Sequence, residues 1–262
     1  AVVNAETLKK ERNFQSELEG EVNSPTHVAV LGENDIYLRD GEGIKVFHPS
    51  TGDVDLVDGT QGAFKNTMVV VDNKIYACVD NSVVEIESGK NEISHKTDFD
   101  GTVVGVTKSS DKNIWVITDR GVIAKMNTAT YKVEKNNKLE GEVMQAFEWL
   151  YASTSAVTAK GDTLYINGSK TKIFRHIFSE NKTELMVDAS TVVPNAIQPY
   201  NTVAVHPLTG EVVMTTNKGW GDGVYTNHIT FFDFSGKDPK ISADYENHAI
   251  CPAGIFFTYN FE

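Results

Sequence analysis

The stretch "THVAVLGENDIYLRDGEGIKVFHPSTGDVDLV", residues 26–57, decides the fold class. It holds four short runs rich in Val, Ile, Leu and aromatic residues, and Gly, Asn, Asp or Pro interrupts them. Runs of this length and composition, separated by such residues, are typical of β-strands joined by tight turns. The stretch therefore predicts four consecutive antiparallel strands.

The same pattern recurs four more times along the chain, and this repetition indicates the architecture. One position in the second run is aromatic in four of the five copies, and successive examples are 39, 39, 50 and 48 residues apart. Four-stranded units repeating at about 40 to 50 residues are the signature of β-propeller blades. The further copies cover residues 67–95, 102–135, 155–187 and 201–245, and the marker residues are Tyr37, Tyr76, Trp115, Tyr165 and Val213.

The two ends of the chain read as complementary fragments of one more blade. "AVVNAETLKKERNFQSELEG" (1–20) matches the third and fourth strands of a copy, and "CPAGIFFTYNF" (251–261) matches a first strand. Sharing a blade between the ends would remove the exposed sheet edges. We therefore predict a single all-β domain over 1–262, a β-propeller of six blades of four antiparallel strands, closed by its termini. A second strand for the shared blade is not evident.

Composition and charge exclude several classes of protein. Of 262 residues, 40% are hydrophobic, enough for a packed core, and the net charge of −12 argues against a nucleic-acid partner. No apolar run approaches the ~20 residues needed for a transmembrane helix. Two cysteines are too few for a disulfide framework, and Cys78 is predicted to be a buried thiol in a core strand. The chain begins in the middle of a repeat, so a leader or lipid anchor is expected before residue 1.

Three connections between predicted strands are unusually long and aromatic: 140–155, 189–201 and 215–227. In an antiparallel blade the connection after the second strand and the connection to the next blade share one face, so all three lie on that face. Long aromatic loops usually serve binding. The alternative is that their aromatic residues form a structural plug. The residues predicted to bind a ligand are Phe147, Trp149, Tyr151, Asn195, Gln198, Tyr200, Asn201, Trp220, Tyr225 and Asn227.

The sequence offers no catalytic, metal or cofactor motif. There is no G-x-S-x-G, H-E-x-x-H, C-x-x-C or phosphate-binding loop, and the seven histidines are scattered. One regularity does recur, because an acidic or amide side chain ends the second run of each copy. Such a ring of oxygens could hold Ca²⁺, but Asp and Asn also cap tight turns, and we favour the capping role. The residues are Asp40, Asp80, Asp119, Asn167 and Asn217.

Three segments carry a resemblance to known proteins. "VFHPSTGDVDLV" (46–57), "KMNTATYKVEKN" (125–136) and "VVNAETLKKERNF" (2–14) resemble the YncE-like, YVTN-type β-propeller family. Longer stretches, "WLYASTSAVTAKGDTLYI" (149–166) and the ending 251–261, resemble the propeller lipoproteins of the Bacteroidales cell envelope, labelled surface-layer or cell-adhesion proteins. The BtuG-type corrinoid-capture proteins are distant members of that group, with seven blades rather than six. The likeness is to the blade framework, so it transfers no ligand residue.

This resemblance implies an exported protein of the cell envelope or cell surface. The expected function is non-catalytic capture of a small molecule such as a corrinoid or glycan, or binding of an outer-membrane partner protein. No nucleic acid, transmembrane segment or cofactor is expected. The alternative is a Ca²⁺-dependent hydrolase similar to the six-bladed lactonases. Asn66 and Asn201 precede or begin first strands as such a site requires, but no Glu partner is evident.

Overall fold

A computed structural model describes residues 2–4, 6–7, 9–61, 63–109, 111–147, 157–168, 170–236, 238–247, 255 and 257. The regular secondary structure of the described residues is mostly β-strand, with one helical turn, α1 (Gln15–Leu18), and three 3₁₀ segments, Gly141–Phe147, Ala189–Thr191 and Gly221–Tyr225. It begins with a two-stranded antiparallel hairpin, β1 (Val2–Val3) and β2 (Lys10–Arg12).

Five four-stranded antiparallel sheets follow, each a simple meander in chain order. The first comprises β3 (His27–Gly32), β4 (Asp35–Arg39), β5 (Ile44–His48) and β6 (Asp53–Leu56). The second comprises β7 (Ala63–Val71), β8 (Lys74–Val79), β9 (Ser82–Glu87) and β10 (His95–Asp98). The third comprises β11 (Val103–Lys108), β12 (Ile114–Thr118), β13 (Val122–Met126) and β14 (Val133–Lys138). The fourth comprises β15 (Val157–Lys160), β16 (Thr163–Asn167), β17 (Lys172–Ile177) and β18 (Lys182–Asp188). The fifth comprises β19 (Gln198–Val205), β20 (Val212–Asn217), β21 (Asn227–Asp233) and β22 (Lys240–Asn247).

The arrangement of the sheets is β-propeller-like. The first strand of each sheet contacts the first strand of the next, in the order β3, β7, β11, β15, β19. The five sheets match the five repeats, so the all-β prediction and the four-stranded repeat are confirmed.

The core lies between successive sheets rather than in one central mass. Along β8, Ile75 and Ala77 pack against the first sheet, whereas Tyr76 and Cys78 pack against the third. This alternation follows from the two-residue period of a strand, and it explains why second strands such as β8, β12 and β20 are buried at nearly every position. Cys78 is buried, as the sequence predicted.

The recurring aromatic residue of the second strand reaches across to the next sheet. The Tyr37 hydroxyl donates to the carbonyl oxygens of Glu87 (3.0 Å) and Lys90 (2.9 Å), near the turn between β9 and β10. Trp115 packs edge-to-face on Phe178, and Tyr165 stacks on Phe234, again at the corresponding turn of the following sheet. This position therefore joins each sheet to its neighbour.

Tyr76, at the same position in the second sheet, belongs to a polar cluster between the second and third sheets. Its hydroxyl donates to the Glu85 carboxylate (2.7 Å), which also accepts from Lys74 (2.8 Å), Ser94 (3.0 Å) and Tyr131 of the third sheet (3.2 Å). Burial acts to raise the pKa of Glu85, but the bonds from Lys74, Tyr76 and Ser94 outweigh it and lower that pKa. Glu85 is therefore ionised at neutral pH and fully engaged.

The Tyr76→Phe substitution removes one donor to this buried carboxylate without removing the ring. We expect it to lower the free energy of unfolding by about 1.5 to 3 kcal/mol, the usual cost of a hydrogen bond to a charged group. Urea denaturation at neutral pH measures this. The control is Tyr245→Phe, because Tyr245 is exposed on β22 and should cost less than about 0.5 kcal/mol. Equal, small effects of the two variants would contradict the role given to Tyr76.

Candidate functional site

Two of the three long connections meet at one end of the strands of the fifth sheet. The backbone N–H of Ile197, in the connection before β19, donates to the carbonyl oxygen of Asn217 at the end of β20 (2.9 Å). A methyl group at residue 219 would lie 3.8 Å from the Ile197 side chain, so the two connections are neighbours. We call residues 218–226 the Trp220 loop and residues 189–197 the Val193 segment.

The third long connection begins at the same face. Its 3₁₀ segment, Gly141–Phe147, places Glu142 in an ion pair with Lys172 at the start of β17, just after the turn between β16 and β17. This hydrogen bond raises the pKa of Lys172. Val143 and Ala146 are buried between the third and fourth sheets. Trp149 and Tyr151 lie outside the described residues.

The Val193 segment is mainly structural. Ala189, Val193 and Ala196 are buried with residues of the fourth and fifth sheets. The Asp188 carboxylate accepts hydrogen bonds from the Ser190 backbone N–H (3.1 Å) and from the Thr171 hydroxyl (2.6 Å), which fixes the start of the segment. These three residues therefore pack between the fourth and fifth sheets.

The Trp220 loop has the opposite character. Trp220 is 73% exposed and Tyr225 is 50% exposed, so neither ring contributes substantially to the core. Ile197 is 58% exposed and lies beside this loop. Exposed large apolar side chains that lie close together make this loop the candidate interaction surface.

The loop holds these rings on an ordered backbone. The Lys218 N–H donates to the Gly223 carbonyl oxygen (3.2 Å), and the Thr226 N–H donates to the same oxygen (3.4 Å). Glycine is required at residue 223, because a methyl group there would lie 2.7 Å from the Lys218 carbonyl oxygen. Gly219 has φ of +101°, which side-chain-bearing residues rarely adopt. The long loop is therefore a folded projection.

The other predicted ligand residues divide into two groups. Asn195 is exposed and has φ of +58°, while Asn227 is fully buried at the base of the Trp220 loop and donates to the Val224 carbonyl oxygen (3.2 Å). Asn227 can therefore affect a ligand only through the loop that it supports. Phe147 ends its 3₁₀ segment, and three others form part of β19, but the side chains of all four lie outside the described residues: Phe147, Gln198, Tyr200 and Asn201.

The recurring acidic and amide residues serve the turns. Asp40 accepts from the backbone N–H groups of Asn23 (3.1 Å) and Glu42 (2.8 Å), and Asp119 accepts from that of Thr102 (2.9 Å). Asn167 donates to three carbonyl oxygens of its own turn. Within the described part of the chain, no group of three His, Cys, Asp or Glu side chains could hold a metal ion. The arrangement supports the capping role.

Sequence reasoning missed Ile197 and Val192 as parts of the exposed surface. Both are exposed apolar residues in the Val193 segment, close in sequence to buried Val193 and Ala196. The only available signal was the apolar character of the stretch "TVVPNAI" (191–197), which does not separate the buried side from the exposed one.

Comparison with known proteins assigns the family. A family model described as a domain of unknown function, DUF5074, matches residues 1–258. The chain belongs to this family. No curated protein matches the sequence. None of the helices that the structure describes is long and apolar enough to cross a membrane.

Solved structures support the β-propeller-like fold of this DUF5074 chain. A quinoprotein alcohol dehydrogenase-like protein of Bacteroides thetaiotaomicron superposes with a TM-score of 0.62 at 14% identity, covering 89% of this chain and 57% of that chain. PorZ, a surface component of the type-IX secretion system of Porphyromonas gingivalis, gives 0.53 at 9% identity, covering 86% and 27%. The extracellular domain of the two-component system protein BT4673 of B. thetaiotaomicron gives 0.56 at 15% identity, covering 87% and 29%. At such identities the likeness concerns the fold alone.

Two substitutions on neighbouring segments distinguish a binding surface from a plug. Trp220→Ala should change the free energy of unfolding by less than about 0.5 kcal/mol, because the ring is largely in solvent. Val193→Ala should lower it by about 1 to 3 kcal/mol, because it opens a cavity between the fourth and fifth sheets. Urea denaturation of both variants measures the difference. A large loss of stability in Trp220→Ala would show that the ring has a structural role.

Proposed function

We propose that this DUF5074 protein is a non-catalytic binding protein of the cell envelope that captures its ligand on the face formed by the Trp220 loop and the exposed side of the Val193 segment. The observation that carries the proposal is the exposure of Trp220 and Tyr225 on an ordered loop. Trp and Tyr are the residues that most often dominate binding energy, because they offer large contact areas at low conformational cost.

The proposed ligand is a small molecule with flat or apolar surfaces and hydrogen-bonding groups, such as a corrinoid or a glycan, or a loop of an outer-membrane partner protein. Exposed rings suit flat ligand surfaces, and Asn195 offers an exposed amide in the Val193 segment, close in sequence to Ile197. The proposal of an exported, envelope-associated protein draws support from two structural neighbours, one described as a bacterial surface component and one as an extracellular domain. Attachment by a lipid anchor is part of the same proposal.

The binding role is tested by a direct screen. Cyanocobalamin and a panel of purified bacterial and host glycans are titrated against the protein while Trp fluorescence and heat are recorded. For a ligand that binds, Trp220→Ala should weaken affinity about thirtyfold, corresponding to about 2 kcal/mol. The matched control is Leu208→Ala, because Leu208 is an exposed apolar residue in the turn between β19 and β20, at the opposite end of these strands, and its loss should cost less than about threefold. Unchanged affinity in Trp220→Ala for every ligand found would refute the proposed site.

Metal analysis tests the non-catalytic part of the proposal. Purified protein dialysed against chelator-free buffer should contain less than about 0.1 equivalents of Ca²⁺, and chelation should leave its melting temperature unchanged. One tightly bound Ca²⁺ per chain would instead favour a lactonase-like hydrolase.

We propose further that residues 1–262 form a single domain, a six-bladed ring closed by the chain ends. Three contacts support this topology. At the N-terminal side, Arg12 donates to the Pro49 carbonyl oxygen (3.0 Å) and Phe14 packs edge-to-face on Phe47, against the first sheet. At the C-terminal side, the Phe257 ring lies 4.9 Å from the His206 ring, beside the first strand of the fifth sheet. Phe14 and Phe257 thus lie against the two sheets that a closing blade would join.

Deletion of residues 250–262 tests ring closure. Without the C-terminal segment a closed ring loses its inner closing strand, so we expect aggregation or a loss of cooperative thermal unfolding. Size-exclusion chromatography and differential scanning calorimetry measure both. The control is deletion of the last residue, Glu262, alone. A truncated protein that stays monomeric and melts as cooperatively as the full chain would contradict closure by this segment.

A further inference from the structure

The Trp220 loop leaves the fifth sheet between two asparagines that face each other across β20 and β21. Asn217 and Asn227 are register partners and form the last pair of this ladder before the loop. Both side chains are buried. Amide side chains in such a place compete for backbone hydrogen bonds, so each is expected to bond to the chain beside it.

Each amide supports one arm of the loop. The Asn217 Oδ1 atom accepts a hydrogen bond from the Gly219 N–H (2.8 Å), immediately before Trp220. The Asn227 Nδ2 atom donates to the Val224 carbonyl oxygen (3.2 Å), immediately before Tyr225. The two exposed rings therefore follow directly after the two backbone groups that the asparagines hold.

The fourth sheet shows the ordinary use of the same position. There Asn167, also at the end of a second strand, donates to the carbonyl oxygens of Gly168, Lys170 and Lys172 and closes a short turn alone. In the fifth sheet the connection is longer, and a second asparagine on the opposite strand completes the support. Because Trp220 is mostly in solvent, packing cannot fix its position, and the hydrogen bonds at the loop base must do so.

We propose that Asn217 and Asn227 are positioning residues that hold the Trp220 loop in its binding-ready conformation without contacting the ligand. This inference rests on the proposed binding role of the loop, but its test needs no ligand. The loss of either hydrogen bond releases one arm, so the loop opens more often and presents Trp220 in many orientations. A preorganised loop loses less conformational entropy on binding than an open one.

The two asparagines use different atoms, and this gives a sharp test. Asn217 acts as an acceptor, so Asn217→Asp keeps the bond to Gly219, as Asp40 does at the corresponding place in the first sheet. Asn227 acts as a donor, so Asn227→Asp loses its bond and brings a carboxylate against the Val224 carbonyl oxygen. The probes are trypsin cleavage after Lys218, identified by peptide mass, and hydrogen exchange of the peptide covering 218–226.

We expect Asn227→Asp and Asn217→Ala to increase both rates about fivefold or more, because cleavage and exchange of a loop follow its opening. Asn217→Asp should stay within about twofold of the unsubstituted protein. Asn167→Ala is the control for general destabilisation and should leave cleavage after Lys218 unchanged. If Asn227→Asp does not fold, the comparison of Asn217→Ala with Asn217→Asp alone tests whether the side-chain acceptor at residue 217 holds the loop.

The proposal is overturned if Asn217→Ala is cleaved no faster than Asn217→Asp, or if Asn167→Ala accelerates cleavage as much as the loop variants do. These outcomes are independent of ligand binding. A failed ligand screen with the expected cleavage pattern would therefore reject the binding role and retain the positioning role of the asparagines.

Discussion

Every sheet in this structure is apolar on both faces, and burying both faces requires a neighbour on each side. The requirement follows from strand geometry, since adjacent residues such as Ile75 and Tyr76 point to opposite neighbours. In an open series of such sheets, the first and the last sheet would each expose one apolar face to solvent. The aromatic position of the second strand strengthens the requirement, because the Tyr37 hydroxyl finds its hydrogen-bond partners on the following sheet and the Trp115 ring packs on Phe178 of the following sheet. The proposed closed ring would give every sheet two neighbours.

The first sheet, at one end of the series, has an apolar face that is only partly covered. On the first sheet, Phe47 is covered by Phe14 from the N-terminal segment, yet Val28 and Val30 on the same face of that sheet remain exposed. Val28 and Val30 pair with Leu38 and Ile36 across β3 and β4, so they continue the face that Phe14 partly covers. An inner closing strand lying beside β3 would bury these valines, and the C-terminal segment is the part of the chain with a suitable sequence.

The sequence predicted the order of the strands but not which loop residues are buried, and the reason is physical. Strand order followed from hydrophobic alternation and turn residues, which are local properties. Whether a loop residue faces the core depends instead on long-range packing: Val193 is buried and Val192 exposed, although both belong to one apolar run. Asn227 was predicted to bind a ligand, and nothing in its residue type indicates that it lies fully buried beneath the loop. Exposure of Trp220 was likewise visible only once the backbone was placed.

The position that ends the second strand explains why a long loop can occur in the fifth sheet. In the first and third sheets, Asp40 and Asp119 bond to backbone N–H groups beside that strand end, and in the fourth sheet Asn167 bonds to carbonyl oxygens of its turn. These hydrogen bonds therefore stabilise the end of the second strand, where the connection to the third strand begins. A longer connection then adds few new constraints, since the entropy of closing a loop rises only slowly with its length. The Trp220 loop can therefore differ in length and sequence from the other connections, because the hydrogen bond between the Gly219 N–H and Asn217 holds the chain at the end of β20.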